Sequence, residues 1–397
     1  MYKVKKFFID NSSQSPQRTQ RKSLKKVKMK HNRHKLENIL AKALQEEHLS
    51  TEDIVFLMDL NKVEQINKLF ETAKSLRRKY FGNKIFTYGF IYASTYCRND
   101  CSFCFFRRSN SDSQRYRKAK PEIIATARRL ADSGVHLIDL TMGEDPALFN
   151  SAGDGFDRLV DLAESVSEAT RLPIMVSPGV IPEDLLQRLS KSGVTWYACY
   201  QETHNHNLFD QLRPGQSYDT RLETKFKAHQ LSLLIEEGLL CGVGETSRDI
   251  AQSIEAMHAL DADQIRVMNF VPQPGTPMAG RIPAEPLREM LISAVMRLVF
   301  PGRLIPASLD VDGIDGLKQR LEAGANVITS IVPPGEGLAG VAQHALDIEE
   351  GKRTHASVLR VLEASGLRAA TNDEYLGWIK SRRQAIGRHD SRREIAC

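Results

Sequence analysis

Eight short apolar runs rich in β-branched residues recur between residues 85 and 332, separated by longer stretches whose apolar side chains mostly return at helical spacing. The runs are 85–94, 136–141, 173–177, 196–201, 238–243, 264–270, 303–309 and 326–332, with helices expected at 121–133, 156–170 and 221–237 among others. Near-continuous apolar runs suit parallel strands buried on both faces, and each parallel crossover needs room for a helix. Eight such units in roughly 250 residues match a (β/α)8 TIM-type barrel. An open doubly wound sheet is the competing arrangement. In a barrel the chemistry gathers at the C-terminal ends of the strands, so polar residues there are the first candidates for function.

The chain has 397 residues, 41% apolar and 26% charged, which is a globular composition. No apolar run approaches the ~18 residues needed to cross a bilayer, and the N-terminus carries no secretory apolar segment. A cytoplasmic protein without a membrane partner is expected. The net charge of +6 is concentrated in residues 1–34, where Asp10 is the only acid, and this segment is expected to be a disordered tail. A basic arm for nucleic acid is the alternative, and Met29 is an alternative start; a nucleic-acid partner is not expected. Residues 35–84 read as three helices, with Ser50 and Asp53 spaced as a capping box. The barrel is assigned to 85–355, and 356–397 to a terminal helix and tail.

Three of the six cysteines fall within eight residues, in Tyr96-Cys97-Arg98-Asn99-Asp100-Cys101-Ser102-Phe103-Cys104, just past the first expected strand. Three thiolates at C-x3-C-x2-C spacing can hold an iron–sulfur cluster or, with a fourth ligand, zinc. Structural zinc sites usually pair two C-x2-C units, and no second pair stands nearby. On a four-iron cluster a three-thiolate grip leaves one iron open to a ligand.

This loop resembles the motif of the radical S-adenosylmethionine enzymes, with Phe103 as the motif's aromatic residue. The resemblance implies a [4Fe-4S] cluster on Cys97, Cys101 and Cys104. It also implies S-adenosylmethionine chelated to the open iron and cleaved there to methionine and a 5'-deoxyadenosyl radical. Met142-Gly143-Glu144 stands where the family carries Gly-Gly-Glu for the cofactor's ammonium group, with Met142 replacing the first glycine. The Gly238–Glu245 string is similar to the family's element against the adenine, which places Gly242 there. Arg221 is implied as the partner of the cofactor's carboxylate and Glu202 as a contact to its amino or ribose groups.

A closer resemblance covers about Leu36 to Asp347. The strings Phe81-Gly82-Asn83, Asp139 through Pro146, Tyr200-Gln201-Glu202-Thr203, Arg266-Val267-Met268 and Ile305 through Asp310 are similar to the methylornithine synthase family of pyrrolysine biosynthesis. That family implies a lysine mutase in which the carbon skeleton breaks into a glycyl radical and an aminobutene and rejoins as (3R)-3-methyl-D-ornithine. L-lysine brings two ammonium groups and one carboxylate into a dry barrel mouth, so acids and a cation are needed there. The family's substrate contacts carry over to Asp139, read as ending the second strand, to Arg266 on the sixth, and to Ser308 and Asp310 at the end of the seventh. Arg266 is assigned to the carboxylate, and the aspartates with Ser308 to the ammonium groups.

Asp312 and Asp315 are either supports of this site or turn residues. Cys199 and Cys241 are expected as core thiols, and His204 with His206 as surface polar residues of a loop. An external electron donor such as a ferredoxin or flavodoxin is implied. Two rivals remain: a biotin-synthase-like or hydrogenase-maturase-like radical enzyme with a different substrate set, and a zinc-stapled barrel that binds RNA through its basic arm.

Overall fold

In the computed structural model, residues 32–149, 154–335 and 352–394 are described, without the side chains of 387–394. Of the tail expected over 1–34, residues 1–31 lie outside the described residues, as does Cys397, and residues 32–34 are not tail but open the first helix. Three helices lead in: α1 (32–44), α2 (Thr51–Met58) and α3 (Val63–Phe81). The capping box at the start of α2 forms as expected, Ser50 Oγ accepting from the Asp53 amide at 3.2 Å and Asp53 Oδ2 from the Ser50 amide at 3.3 Å.

The barrel then runs β1 (Lys84–Ser94), α4 (Lys120–Ser133), β2 (Leu137–Met142), α5 (Gly155–Thr170), β3 (Ile174–Ser177), α6 (Glu183–Lys191) and β4 (Val194–Ala198). It continues with α7 (His206–Leu212), α8 (Tyr218–Gln230), β5 (Leu234–Cys241), α9 (Ser247–Ala259), β6 (Gln264–Asn269) and α10 (Pro286–Val299). β7 (Pro306–Ser308), α11 (Leu317–Glu322), β8 (Val327–Ile331), α12 (His355–Ala364), β9 (Arg368–Ala369) and α13 (Asn372–Glu394) complete it. Neighbouring strands are parallel in the order β6-β5-β4-β3-β2-β1-β8-β7. The seam between β6 and β7 is held by one bridge, the Ile265 amide donating to Leu304 O at 3.0 Å and the Leu304 amide to Asp263 O at 3.1 Å. The sheet is therefore a nearly closed barrel, not an open doubly wound sheet.

Two element boundaries differ from expectation for one physical reason. The helix expected to run to Glu237 ends at Gln230, and β5 begins at Leu234. Glu236 and Glu237 resemble the polar face of a helix, yet both sit in β5 with no exposure because each finds a buried cation on its own side of the sheet. Glu236 points into the barrel toward Arg266, and Glu237 points outward to Lys225 of α8. At β4 the ladder stops at Ala198, and Glu202 takes φ of 67° where the chain bends toward β5.

Side chains alternate across a strand, so Leu137, Leu234, Gln264 and Val327 share an inward face with Asp139, Glu236, Arg266 and Thr329 two residues on. The lower layer is aromatic and apolar: Phe86, Tyr88, Met175, Trp196 and Leu304 pack with Tyr375 and Ile379 of α13. Tyr375 Oη donates to Tyr88 Oη at 2.8 Å, and the Trp378 ring stacks on Trp196 at 5.9 Å with an interplanar angle of 2°. The terminal helix thus plugs the bottom of the barrel, and β9 pairs with the first residues of β1 beside it. Truncating the fully buried Tyr375 to alanine is expected to cost about 3–5 kcal/mol in urea unfolding. A loss below about 1 kcal/mol would show that α13 is not part of the core.

Candidate active site

β1 ends in a bulge at Ser94 and delivers the cysteine loop onto the upper rim of the barrel. The thiols are supplied with N–H donors, as a thiolate requires. Arg213 Nη1 and Gln216 Nε2 lie 3.4 and 3.1 Å from Cys101 Sγ, and the Asn99 amide lies 3.4 Å from Cys97 Sγ. Burial, and then the neighbouring thiols, push the Cys97 and Cys104 thiols up from their ordinary range. Three thiolates crowded together are costly unless a cationic group lies among them, which is the service an iron–sulfur cluster performs. Among the described residues no three His, Cys, Asp or Glu side chains converge on a single-ion site. Three thiols without a fourth protein ligand are a donor set for a four-iron cluster with one open corner.

Gly143 lies against this loop. A Cβ placed there would stand 2.7 Å from Tyr96 O and 2.9 Å from Cys97 Cβ, closer than real side chains approach. Met142 has no positive φ, so a side chain is accommodated there.

Glu144 then turns to a pair of arginines: Arg98 Nε donates at 2.9 Å and Arg221 Nη1 lies 3.4 Å away. Burial alone would raise its pKa, but the two guanidiniums outweigh burial and hold the carboxyl below its usual range. Arg221 also donates from Nε to Tyr200 O at 2.8 Å. Glu202 accepts from Arg213 Nη2 at 2.7 Å, and burial still raises its pKa. Gly242 adopts φ of 86° with its Cβ position closed by Ala284 at 2.8 Å, and its amide donates to the Glu245 carboxylate at 3.0 Å.

Below the loop a cavity of about 820 Å³, counted with its mouth, falls within the range of small-molecule pockets. Of the sequence-derived candidates, Phe103, Cys104, Asp139, Glu202, Arg266 and Asp310 line it. Ser308 stands behind Asp310, donating to its Oδ2 at 3.0 Å. Met142, Gly143, Glu144 and Arg221 belong to the rim around the cysteine loop. Asp139 is not at a strand end as expected but third in β2, facing inward. Arg266 Nε donates to Glu236 Oε1 at 2.6 Å and Nη1 to Thr329 Oγ1 at 3.2 Å. Tyr200 Oη donates to the other Glu236 oxygen at 2.8 Å. Asp310 accepts from Ser330 at 2.7 Å, and Arg353 Nη2 stands 3.0 Å from its Oδ1. Asp139 accepts from Thr141 at 2.9 Å, and its pKa is pushed up to about 7 by burial first and the Glu236 charge second.

Three site residues escaped the sequence reading. Glu236 was hidden in a supposed helix, Arg213 lies in a turn without periodicity, and Arg353 follows a segment outside the described residues. Other expectations need correction. His204 is not a surface residue: it is buried edge-on against Tyr218, and burial lowers its pKa to about 4. His206 is exposed, as expected. Asp312 pairs with Arg320 at 2.6 Å, a guanidinium shared with Glu289, so it serves the barrel wall. Cys199 and Cys241 are buried thiols, as expected.

A thiolate triad on the β1 loop above a charged barrel cavity defines a class, and the comparisons agree: the radical SAM superfamily profile matches residues 91–257. The chain is a radical S-adenosylmethionine enzyme, a class that uses a [4Fe-4S] cluster and S-adenosylmethionine. It is 42% identical over 327 residues to 3-methylornithine synthase of Methanosarcina acetivorans, 82% of this chain and 92% of that one. A crystal structure of methylornithine synthase (PylB) superposes with a TM-score of 0.81 at 41% identity, covering 86% of this chain and 99% of the other. The [FeFe] hydrogenase maturase subunit HydE of Thermotoga maritima is more distant, 29% identical over 263 residues, 66% of this chain and 74% of its own. The chain belongs to the 3-methylornithine synthase family.

Gly143→Ala is expected to displace the Tyr96–Cys97 backbone and lower the iron retained after anaerobic reconstitution severalfold, with far-UV circular dichroism unchanged. Full iron content in this variant would show that the loop does not depend on the close approach.

Proposed function

We propose that this chain converts L-lysine to (3R)-3-methyl-D-ornithine, the first step of pyrrolysine biosynthesis. The observation that carries the reading is the charge pattern of the cavity. With Asp139 ionised, the carboxylates of Asp139, Glu236 and Asp310 face the guanidiniums of Arg266 and Arg353, leaving one negative charge; Glu202 and Arg213 cancel. Lysine, with two ammonium groups and one carboxylate, brings one positive charge. An apolar substrate would leave that charge uncompensated in a dry site.

Arg266 keeps Nη2 free of hydrogen bonds among the described residues and offers it to the substrate carboxylate. Asp139 and Asp310, with Ser308 behind the latter, receive the ammonium groups. Cys97, Cys101 and Cys104 hold the cluster, while Glu144, Arg221 and Glu202 supply the charges for the amino-acid end of S-adenosylmethionine. Met142 and Gly143 shape the rim there, and Gly242 the neighbouring wall. Bound there, the cluster and S-adenosylmethionine would supply the 5'-deoxyadenosyl radical chemistry that takes a hydrogen atom from the lysine side chain. Phe90, Phe103, Leu240, Met268 and Phe270 wall the cavity with apolar surface, which keeps water from the reacting carbons. Charged groups fixed at opposite ends of the substrate hold its two halves in register while the skeleton breaks and rejoins. A reducing cytoplasm and a ferredoxin or flavodoxin as one-electron donor complete the reading; among the described residues no helix is long and apolar enough to cross a membrane.

With lysine deuterated along its side chain, deuterium is expected in the 5'-deoxyadenosine formed. Removing a charged hydrogen-bond partner costs about 1.5–3 kcal/mol, so Arg266→Met should raise KM for lysine about 10–100-fold with S-adenosylmethionine binding unchanged. Unlabelled deoxyadenosine, or an unaltered KM, would contradict this assignment of the cavity.

A further inference from the structure

Glu236 has no exposure and lies beneath the cavity, not among its lining residues, at the one place where it touches both sides of the substrate site. Its Oε1 accepts from Arg266 Nε at 2.6 Å, and its Oε2 accepts from Tyr200 Oη at 2.8 Å. Arg266 is thereby held by its Nε edge from below and by Thr329 from the side, at 3.2 Å through Nη1. Asp139 projects from β2 into the same cavity and forms no ion pair among the described residues. The cation it would otherwise take is already committed.

We propose that Glu236 is a positioning residue for lysine binding: by engaging the Nε edge of Arg266 it turns the remaining edge toward the substrate carboxylate and reserves Asp139 for a substrate ammonium. This rests on the lysine reading above and deepens it. The groups facing Asp139 are Glu236 from β5, Arg266 from β6, Asp310 from beyond β7 and Tyr200 from beyond β4, with Thr141 on its own strand. Burial first, and then the Glu236 charge against a guanidinium that is already paired, leave Asp139 protonated for much of its time near neutral pH, in keeping with its pKa of about 7. An arriving ammonium group needs the ionised form, so binding expels the proton. The sign follows: below about pH 7 lysine must displace a proton and binds more weakly, and above it the penalty disappears.

The test uses the reconstituted enzyme with cluster and S-adenosylmethionine, under strictly anaerobic conditions. In the wild type, KM for lysine should fall as pH rises toward 7 and level off above it. Glu236→Gln keeps an oxygen for Arg266 Nε but removes the charge, freeing the guanidinium's field for Asp139. The midpoint of the KM profile should then move down by about one unit or more. KM raised by the same factor at every pH, or a loss confined to kcat, would overturn the proposal, because a merely structural role moves those and not the midpoint. A second measurement needs no variant. Calorimetry of lysine binding to the wild type in two buffers of different ionisation enthalpy should show nearly one proton released at pH 6 and almost none at pH 8. No release at pH 6 would equally overturn it. Turnover of lysine with a pH-independent KM removes this inference alone, whereas failure to bind lysine at any pH removes the lysine reading and this inference with it.

Discussion

Charge confined in a dry barrel is the constraint on which the rest of this molecule depends. An isolated carboxylate or guanidinium inside a core is costly, so each must be met by an opposite charge or by hydrogen bonds. The lower barrel is filled mainly by Phe86, Tyr88, Trp196 and Tyr375 and closed by α13, whose Arg382 meets the fully buried Asp263 at 2.7 Å. One layer higher, Glu236 is met by Arg266 and Tyr200, and Asp310 accepts from Ser308 and Ser330 on Oδ2 with the Arg353 guanidinium as a counter-charge 3.0 Å from Oδ1. Asp139 is the exception, a carboxylate with one hydrogen bond and no ion pair among the described residues. A site in which all charges but one are compensated is prepared for a ligand that carries the missing charge.

The cysteine loop obeys a related rule on the rim. Thiolates are tolerated beside one another because Arg213, Gln216 and a backbone amide point at them and because the proposed cluster would lie among them. Backbone approach is as restrictive as charge: Gly143 packs its Cα onto the loop, and any side chain would push Cys97 outward. The same Arg213 that reaches Cys101 also holds Glu202, so the cluster loop and the bend after β4 are joined through one guanidinium. Cofactor rim and substrate floor share the stretch from Tyr200 to Glu202.

The barrel was legible because strands buried on both faces must be apolar throughout, and eight such runs stand out between helical stretches. Asp139, Arg266, Ser308 and Asp310 were reached through the family resemblance, and a lysine substrate's need for acids and a cation in a barrel mouth agrees with it. Glu236 was not, since two adjacent glutamates read as helix surface until their separate cations, Arg266 and Lys225, are known from the tertiary structure. His204 misled in the same way: polar and near a loop, it is buried by Tyr218 at the start of α8, where the chain folds back onto it. The terminal helix carries a charged sequence whose few apolar residues, among them Tyr375, Trp378 and Ile379, gain their meaning only beneath the barrel. Local pattern reports the burial of an element but not the partner that buries it.

The most direct measurement is of the carbon skeleton itself. Reconstituted enzyme given S-adenosylmethionine, a low-potential reductant and uniformly 13C-labelled L-lysine should produce an amino acid of unchanged mass whose carbon spectrum gains a methyl resonance on a branched carbon. Deoxyadenosine accumulating while the lysine skeleton stays linear would leave the radical chemistry standing and contradict the mutase.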